Sequence, residues 1–190
     1  CEMLKEINIP STMKNIDANA FHDKNPIEKI TLNKLFGNFV SNYFKNTIKE
    51  VVILDAVEQI PNNAFLNCGQ LEKVTFGKNV KTIGKNAFSN CTNLGEVILA
   101  SNTEVIGDEA FSNCTGIRNV VLNEGLKSIG TKAFSNNSLL ELIEIPESVD
   151  LIGTNIFEKC KSLQNATVNY AVNYIPKSMF LECSNLESVN

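Results

Sequence analysis

The chain has 190 residues, a formal net charge of −4 at pH 7 and 43% hydrophobic residues. This length and apolar content exclude a disordered chain and allow a sizeable core. The small negative charge argues against a general nucleic-acid binder, and without a run of about 20 apolar residues we predict no membrane insertion in this segment.

A repeat of 23 residues runs through the whole chain. The segments NAFSNCTNLGEV at 86–97 and EAFSNCTGIRNV at 109–120 are near copies of each other. With Leu71 as position 1, the unit reads L-x-x-V-x-F-x-x-x-V-x-x-I-G-x-x-A-F-x-x-C-x-x. A fixed period indicates stacked units that share one core, so we predict a single solenoid over 1–190. Its eight repeats start at 4, 27, 48, 71, 94, 117, 140 and 163, with partial repeats at both ends, as in a fragment of a larger chain.

Each unit predicts the same short elements in the same order. Apolar residues at positions 4 and 6 alternate with polar ones at 3 and 5, which indicates a half-buried strand in every coil. Such strands stack in parallel about 4.8 Å apart. Positions 10–13 predict a second extended piece, Gly or Pro at position 14 a turn, and A-F-x-x-C a helical turn at the corner. The second unit lacks two residues after Phe44, so we expect a tightened corner there while the solenoid continues.

Two columns of the repeat are expected to fill the core. Phenylalanine stands at position 18 of all eight units. The cysteines all fall at position 21, where one unit has Asn137 instead: Cys1, Cys68, Cys91, Cys114, Cys160 and Cys183. Stacked coils hold Cβ vectors parallel rather than convergent, so we predict free, buried thiols that hydrogen-bond the backbone of a turn.

The sequence offers no residues arranged for catalysis or for a cofactor. There is no C-x-x-C pair, and His22 is the single histidine, so neither a zinc site nor a Ser-His-Asp triad is predicted. The glycine and lysine positions of 77–85 do not have the spacing of a phosphate-binding loop. We therefore expect a protein that is not an enzyme and that needs no metal or cofactor.

The outward strand positions form the surface that a solenoid can offer a partner. At position 3 the signs alternate through Glu6, Lys29 and Glu50, and position 2 alternates in the opposite phase. Alternation pairs charges on neighbouring strands and leaves no stripe of one sign for nucleic acid or an anionic membrane.

One outward apolar run remains, and it is the candidate partner-binding face: Val52, Thr75, Ile98, Val121 and Leu142. The alternative is that these residues only reflect β-propensity on an exposed strand. For sugar stacking, Tyr170 and Tyr174 are the nearest approach to an aromatic cluster.

The unit resembles the BspA-like class of leucine-rich repeat. Residues 140–160, LELIEIPESVDLIGTNIFEKC, show the pattern nearly whole, and the likeness covers essentially the whole chain. The resemblance implies a right-handed leucine-rich-repeat coil with a parallel β-sheet on one face. It also implies a surface or secreted protein of a kind found mostly in bacteria, several of which are adhesins for host matrix proteins. The short second unit and Asn137 depart from the pattern.

The expected function is a non-catalytic protein-interaction or adhesion module of a bacterial cell-surface or secreted protein, with a host glycoprotein as candidate partner. One alternative is a structural spacer in a multidomain surface protein. Another is a carbohydrate-binding accessory module of an enzyme. Because the ends of a solenoid expose apolar edges, we expect a monomer or weak end-to-end association.

Overall fold

The computed structural model describes residues 4–16, 20–21, 26–169 and 174–190. Cys1, His22 and Tyr170 lie outside the described residues. The elements in chain order are β1 (Glu6–Ile9), β2 (Lys29–Leu32), α1 (Phe39–Tyr43), β3 (Glu50–Ile53), β4 (Gln59–Ile60), β5 (Lys73–Thr75), β6 (Thr82–Ile83), β7 (Glu96–Ile98), β8 (Val105–Ile106), β9 (Asn119–Val121), β10 (Ser128–Ile129), β11 (Leu142–Ile145), β12 (Leu151–Ile152), β13 (Asn165–Val168) and β14 (Ser188–Val189).

The predicted parallel solenoid is confirmed. Where the strands at positions 3–6 of neighbouring coils pair, they do so in parallel and the register follows the repeat columns, as in Ile7 opposite Ile30 and Val51 opposite Val74. This first sheet is hydrogen-bonded in three blocks, β1-β2-β3-β5, β7-β9 and β11-β13-β14. The ladder therefore opens at two places, between β5 and β7 and between β9 and β11.

A second parallel sheet is built from positions 12 and 13, in the order β12-β10-β8-β6-β4. The residue at position 14 explains where this sheet begins and ends. In the four coils that stack on a preceding second strand it is glycine, whose N–H donates to the position-13 carbonyl below, as Gly130 does to Ile106 at 2.8 Å. Pro61 follows the edge strand β4, and Pro176 follows no strand of this sheet. Proline has no N–H, so it fits only where no such bond is made.

The corner consists of consecutive β-turns rather than a turn of helix. In the fourth coil Ala87, Ser89 and Cys91 donate their N–H groups three residues back, to Gly84, Asn86 and Phe88. The intervening N–H groups donate to the next coil. Positions 16 and 20 have positive φ, as Asn86 and Asn90 do at 54° and 62°. Asparagine tolerates this left-handed conformation, which is why it recurs at these positions.

The second coil turns its corner differently, through helix α1. Phe44 donates its N–H to the Val40 carbonyl, and its ring packs edge-on against Phe39 and Phe21 at 5.4 and 5.1 Å between centroids. Although the second unit is two residues shorter than the others, its strand β2 still pairs with β3 in full register. The helix thus replaces the longer run of turns without breaking the parallel stack.

The core is a column of stacked phenylalanine rings flanked by aliphatic side chains. From Phe65 to Phe180 successive rings are nearly parallel and 4.8–5.9 Å apart between centroids. Phe65, Phe88, Phe111, Phe134 and Phe157 are fully buried. One coil cannot bury such a ring alone, so stability comes from contacts between neighbouring coils.

The position-21 residues form a ladder of side-chain hydrogen bonds across coils. The Sγ atoms of Cys91, Cys114, Cys160 and Cys183 donate to the position-18 carbonyl of the preceding coil at 3.0–3.2 Å. Asn137 makes the same bond through Nδ2 to the Phe111 carbonyl at 3.2 Å. The five cysteines in the described part of the chain are free thiols. This agrees with the expectation that position 21 holds a small, buried donor to a turn.

Asn137 is the weak member of this ladder, and replacing it with cysteine is expected to stabilise the protein by about 1–2 kcal/mol. Its Oδ1 is buried without a hydrogen-bond partner among the described residues, and a buried, unpaired acceptor costs about 1–3 kcal/mol. Cysteine keeps the donor and removes that acceptor. Urea unfolding of Asn137→Cys and of the reverse change, Cys114→Asn, measures the effect. The two should move stability in opposite directions, and destabilisation by both would show that the unpaired oxygen is not the cause.

The buried thiols are expected to resist labelling while the protein is folded. Burial raises the pKa of Cys68 and of Cys160 to about 12 and raises that of Cys91 well above its ordinary value. Only the thiolate reacts, so at pH 9 the reactive fraction of Cys68 falls to about a thousandth. Among the described cysteines, a disulfide reagent at pH 7–9 should label half-buried Cys183 first and Cys68, Cys91, Cys114 and Cys160 only in denaturant. Fast labelling of Cys68 or Cys160 in the native state would contradict the packing described here.

Candidate functional site

The sheet of positions 3–6 presents the surface on which the candidate partner-binding residues lie. The structure places all five there, but it divides them by exposure. Val52 is half-buried and Thr75 is exposed but polar. Ile98, Val121 and Leu142 expose 54%, 45% and 55% of their surface. We call these last three the apolar patch. They lie on β7, β9 and β11, which are successive strands of the fifth to seventh coils.

On the strand face of the first three coils, charged side chains of neighbouring strands form ion pairs. Lys29 Nζ lies 3.5 Å from a carboxylate oxygen of both Glu6 and Glu50, and Lys49 Nζ lies 3.3 Å from Glu28. Glu50 and Glu6 raise the pKa of Lys29 accordingly. At positions 2, 3 and 5 these coils carry three lysines and three glutamates, so their face has no net charge. Such exposed pairs add little stability but leave few unpaired groups for a ligand.

At the same positions, the fifth to seventh coils carry an excess of acidic residues. They carry three glutamates, Glu96, Glu141 and Glu144, against the single base Arg118. None of these four forms an ion pair within the described ranges. Glu96 accepts a hydrogen bond from the Asn119 amide at 2.7 Å. The charge alternation expected along the first four units therefore gives way to a mildly acidic surface around the apolar patch.

Two shallow grooves cross the strand face at the openings of the hydrogen-bonded ladder. The first lies between β5 and β7 and has a volume of about 300 Å³. Thr75, Phe76 and Ile98 line it together with charges of both signs, Lys73 against Glu72 and Glu96. This groove could not be predicted from the repeat, because the residues on both sides keep the ordinary strand pattern.

The second groove lies between β9 and β11 and has a volume of about 180 Å³. Its apolar lining includes the exposed side chains of Val121 and Leu142, and the two charged residues in its lining are both acidic, Glu124 and Glu144. Glu144 accepts a hydrogen bond from the Asn169 amide at 3.2 Å. Sequence reasoning identified Val121 and Leu142 but missed both glutamates. Glu124 follows the strand in the turn, outside the columns considered.

A further alternating column escaped the sequence reasoning, at position 11 beside the second sheet. Lys81 Nζ lies 3.1 Å from Glu58, and Lys127 Nζ lies 2.9 Å from Glu104. The Lys127 ammonium lowers the pKa of the Glu104 carboxyl. The signs alternate from coil to coil in the sequence, so the column could have been read there. Beside this sheet the column carries three acids, Glu58, Glu104 and Asp150, and each of its two lysines there is paired with the glutamate of the preceding coil.

The geometry offers nothing that would hold a metal or activate a nucleophile in the part of the chain that is described. No group of three or more His, Cys, Asp or Glu side chains lies close enough there to ligate an ion. Of the described cysteines, Cys68, Cys91, Cys114 and Cys160 are buried in the core. The same residues include no helix with the length and hydrophobicity of a membrane span.

Comparison with solved structures finds the same architecture. A leucine-rich-repeat protein of T. pallidum superposes with a TM-score of 0.72, at 24% identity, over 93% of this chain and 83% of that one. A leucine-rich cell surface protein of Faecalibacterium prausnitzii superposes with a TM-score of 0.60, at 27% identity, over 88% of this chain. The match covers 48% of that protein, so this chain spans about half its length. The search of curated proteins found no relative.

The repeat itself matches a family model across the chain. Six copies of the BspA type leucine-rich repeat region cover residues 1–95 and 81–190. This agrees with the resemblance read from the repeat columns and with the parallel stack of coils. The chain belongs to the family of BspA-type leucine-rich-repeat proteins.

Proposed function

We propose that this chain is a non-catalytic protein-interaction module of a cell-surface or secreted protein, and that it binds its partner through the strand face. The observation that carries the proposal is the apolar patch. A contiguous set of exposed apolar side chains on a soluble domain marks an interaction surface when polar residues surround it. Here the patch occupies the regular face that repeat proteins use for binding.

The cell-surface setting is supported by likeness. The F. prausnitzii protein is described as a leucine-rich cell surface protein. The more specific proposal is that this module adheres to a host glycoprotein. The fold alone does not name a ligand.

A screen of the chain against soluble matrix glycoproteins and a glycan panel tests the proposal. Saturable binding to a protein is the expected result. Binding to glycans without any protein would replace the proposal with a carbohydrate-binding module. An absence of binding in both arms would favour a spacer, for which outward substitutions are neutral.

A further inference from the structure

We propose that the groove between β9 and β11 receives an apolar side chain of a partner protein whose flanking residues are basic. This inference rests on the proposed function and specifies the chemistry of the partner. The occupant is a segment of another protein in which lysine or arginine stands beside a leucine-sized apolar residue.

The first argument is the shape and chemistry of the groove. Its volume of about 180 Å³ suits one aliphatic side chain rather than a whole small molecule. Val121 and Leu142 supply the apolar contacts, and the side chain of a partner would cover part of the surface that both leave exposed. Burying such apolar area is favourable.

The second argument is charge complementarity. Glu124 and Glu144 line the groove and no basic residue does. Neither carboxylate has an ion-pair partner in the described ranges, in contrast to Glu6, Glu28 and Glu50 on the same face. Beyond the lining, Glu96, Glu141 and Glu147 are exposed nearby, and Arg118 is the one base among the outward positions of these coils. Unpaired carboxylates around an apolar site favour partners with positive charge and repel acidic ones.

The third argument is the contrast within the molecule. The other groove, between β5 and β7, is larger but includes Lys73, so it has no single sign. A polar cleft at the corners of the coils is lined by Lys132 and Lys159 together with Glu109 and Glu158. Both lysines form ion pairs with Glu158 inside the cleft. Of these three sites in the described part of the chain, only the groove between β9 and β11 combines exposed apolar side chains with charge of one sign.

Three matched short peptides test the inference by nuclear magnetic resonance titration of the isotope-labelled chain. In the first peptide leucine alternates with lysine, in the second leucine alternates with glutamate, and in the third serine alternates with lysine. We expect the first to shift the amide signals of β9 and β11 and to bind at least about tenfold more tightly than the others, because each of those lacks one half of the recognition. Its affinity should fall as salt is raised.

Charge reversal in the groove gives the decisive variant. Glu124→Lys/Glu144→Lys should weaken binding of the lysine–leucine peptide at least about tenfold. The control Glu58→Lys/Asp150→Lys makes the same change in net charge beside the second sheet and should leave affinity within about twofold. Equal binding of the three peptides, no binding of the first, or shifts confined to other surfaces would overturn the inference. A matrix protein that binds through the apolar patch but is indifferent to the groove reversal would also overturn it, while the proposed function would stand.

Discussion

Replacing Phe111 with alanine is expected to lower the free energy of unfolding by about 3–5 kcal/mol. Phe111 is fully buried, and its ring lies 5.1 Å from that of Phe88 and 5.3 Å from that of Phe134, parallel to both within 4°. Alanine would leave a cavity between two coils that cannot collapse, because the parallel ladders fix their spacing. Each coil is held only by its neighbours, so the loss falls on the central interfaces of the stack.

The matched control for that substitution is Phe180→Ala. Phe180 is half-buried and has one stacking neighbour in the described residues, Phe157 at 5.8 Å. Truncation there should cost less than half as much as truncation of Phe111. Urea unfolding followed by far-ultraviolet circular dichroism measures both. If Phe111→Ala costs less than about 1 kcal/mol, or no more than Phe180→Ala, the phenylalanine column is not the core.

Gly130→Ala is expected to destabilise the protein by about 2–3 kcal/mol, a large effect for one methyl group. A Cβ at Gly130 would lie 2.4 Å from the backbone nitrogen of Asp108 and 2.5 Å from the carbonyl carbon of Gly107. Those atoms belong to the coil below, which is held by the second sheet and cannot give way as a flexible side chain would. The coils must therefore separate locally, and the bond from Gly130 to Ile106 weakens.

Gly95→Ala provides the same chemical change without the clash. A Cβ at Gly95 meets no atom within 4 Å, and its backbone is not in the left-handed region. We expect its effect on stability to lie within about 0.5 kcal/mol and to be favourable if anything, because alanine restricts the unfolded chain. Thermal unfolding of the two variants side by side tests this contrast. Equal effects would mean that the close approach of coils is not what selects glycine at position 14.

The repeat columns predicted the core and the register because both depend on contacts between equivalent positions. Ile30, Val51 and Phe111, which the columns placed inside, are fully buried. The hydrogen-bonding role of position 21 could also be predicted, because the side chains of asparagine and cysteine both carry a hydrogen-bond donor and otherwise have little in common. Equivalent positions of a solenoid stack on one another, so an alignment of the repeats predicts most of the tertiary contacts.

The corner and the openings of the sheet could not be read in the same way. The left-handed residues at positions 16 and 20 include Glu109, Lys132 and Glu182, whose residue types do not indicate positive φ. Backbone hydrogen bonds to the Thr131 and Thr154 carbonyls of the next coil hold Glu109 and Lys132 in this conformation, a tertiary effect that overrides local preference. The second extended piece, predicted at positions 10–13 of every unit, forms a sheet only from β4 to β12. Ile16 and Phe39 stand at position 13 of the first two units, outside this sheet, and Phe39 lies in helix α1.

The candidate surface was predicted only in outline. The alternation of strand positions identified the five outward residues, but it did not show that Ile98, Val121 and Leu142 are the apolar ones that remain exposed while Val52 is half-buried. The groove arises because β9 and β11 are neighbours that do not share a continuous ladder. No residue type indicates that opening, so the place of Glu124 and Glu144 in the lining of the groove could be seen only in the three-dimensional structure.

The most direct test of binding through the strand face is an equilibrium titration of a matrix glycoprotein from the screen against three forms of the chain. These are the native protein, the patch variant Ile98→Glu/Val121→Glu/Leu142→Glu, and the control Leu151→Glu/Leu181→Glu, whose residues are similarly exposed elsewhere. Circular dichroism confirms that each is folded. We predict saturable binding by the native and control proteins and at least a tenfold loss in the patch variant. Undiminished binding by the patch variant would contradict binding through this face.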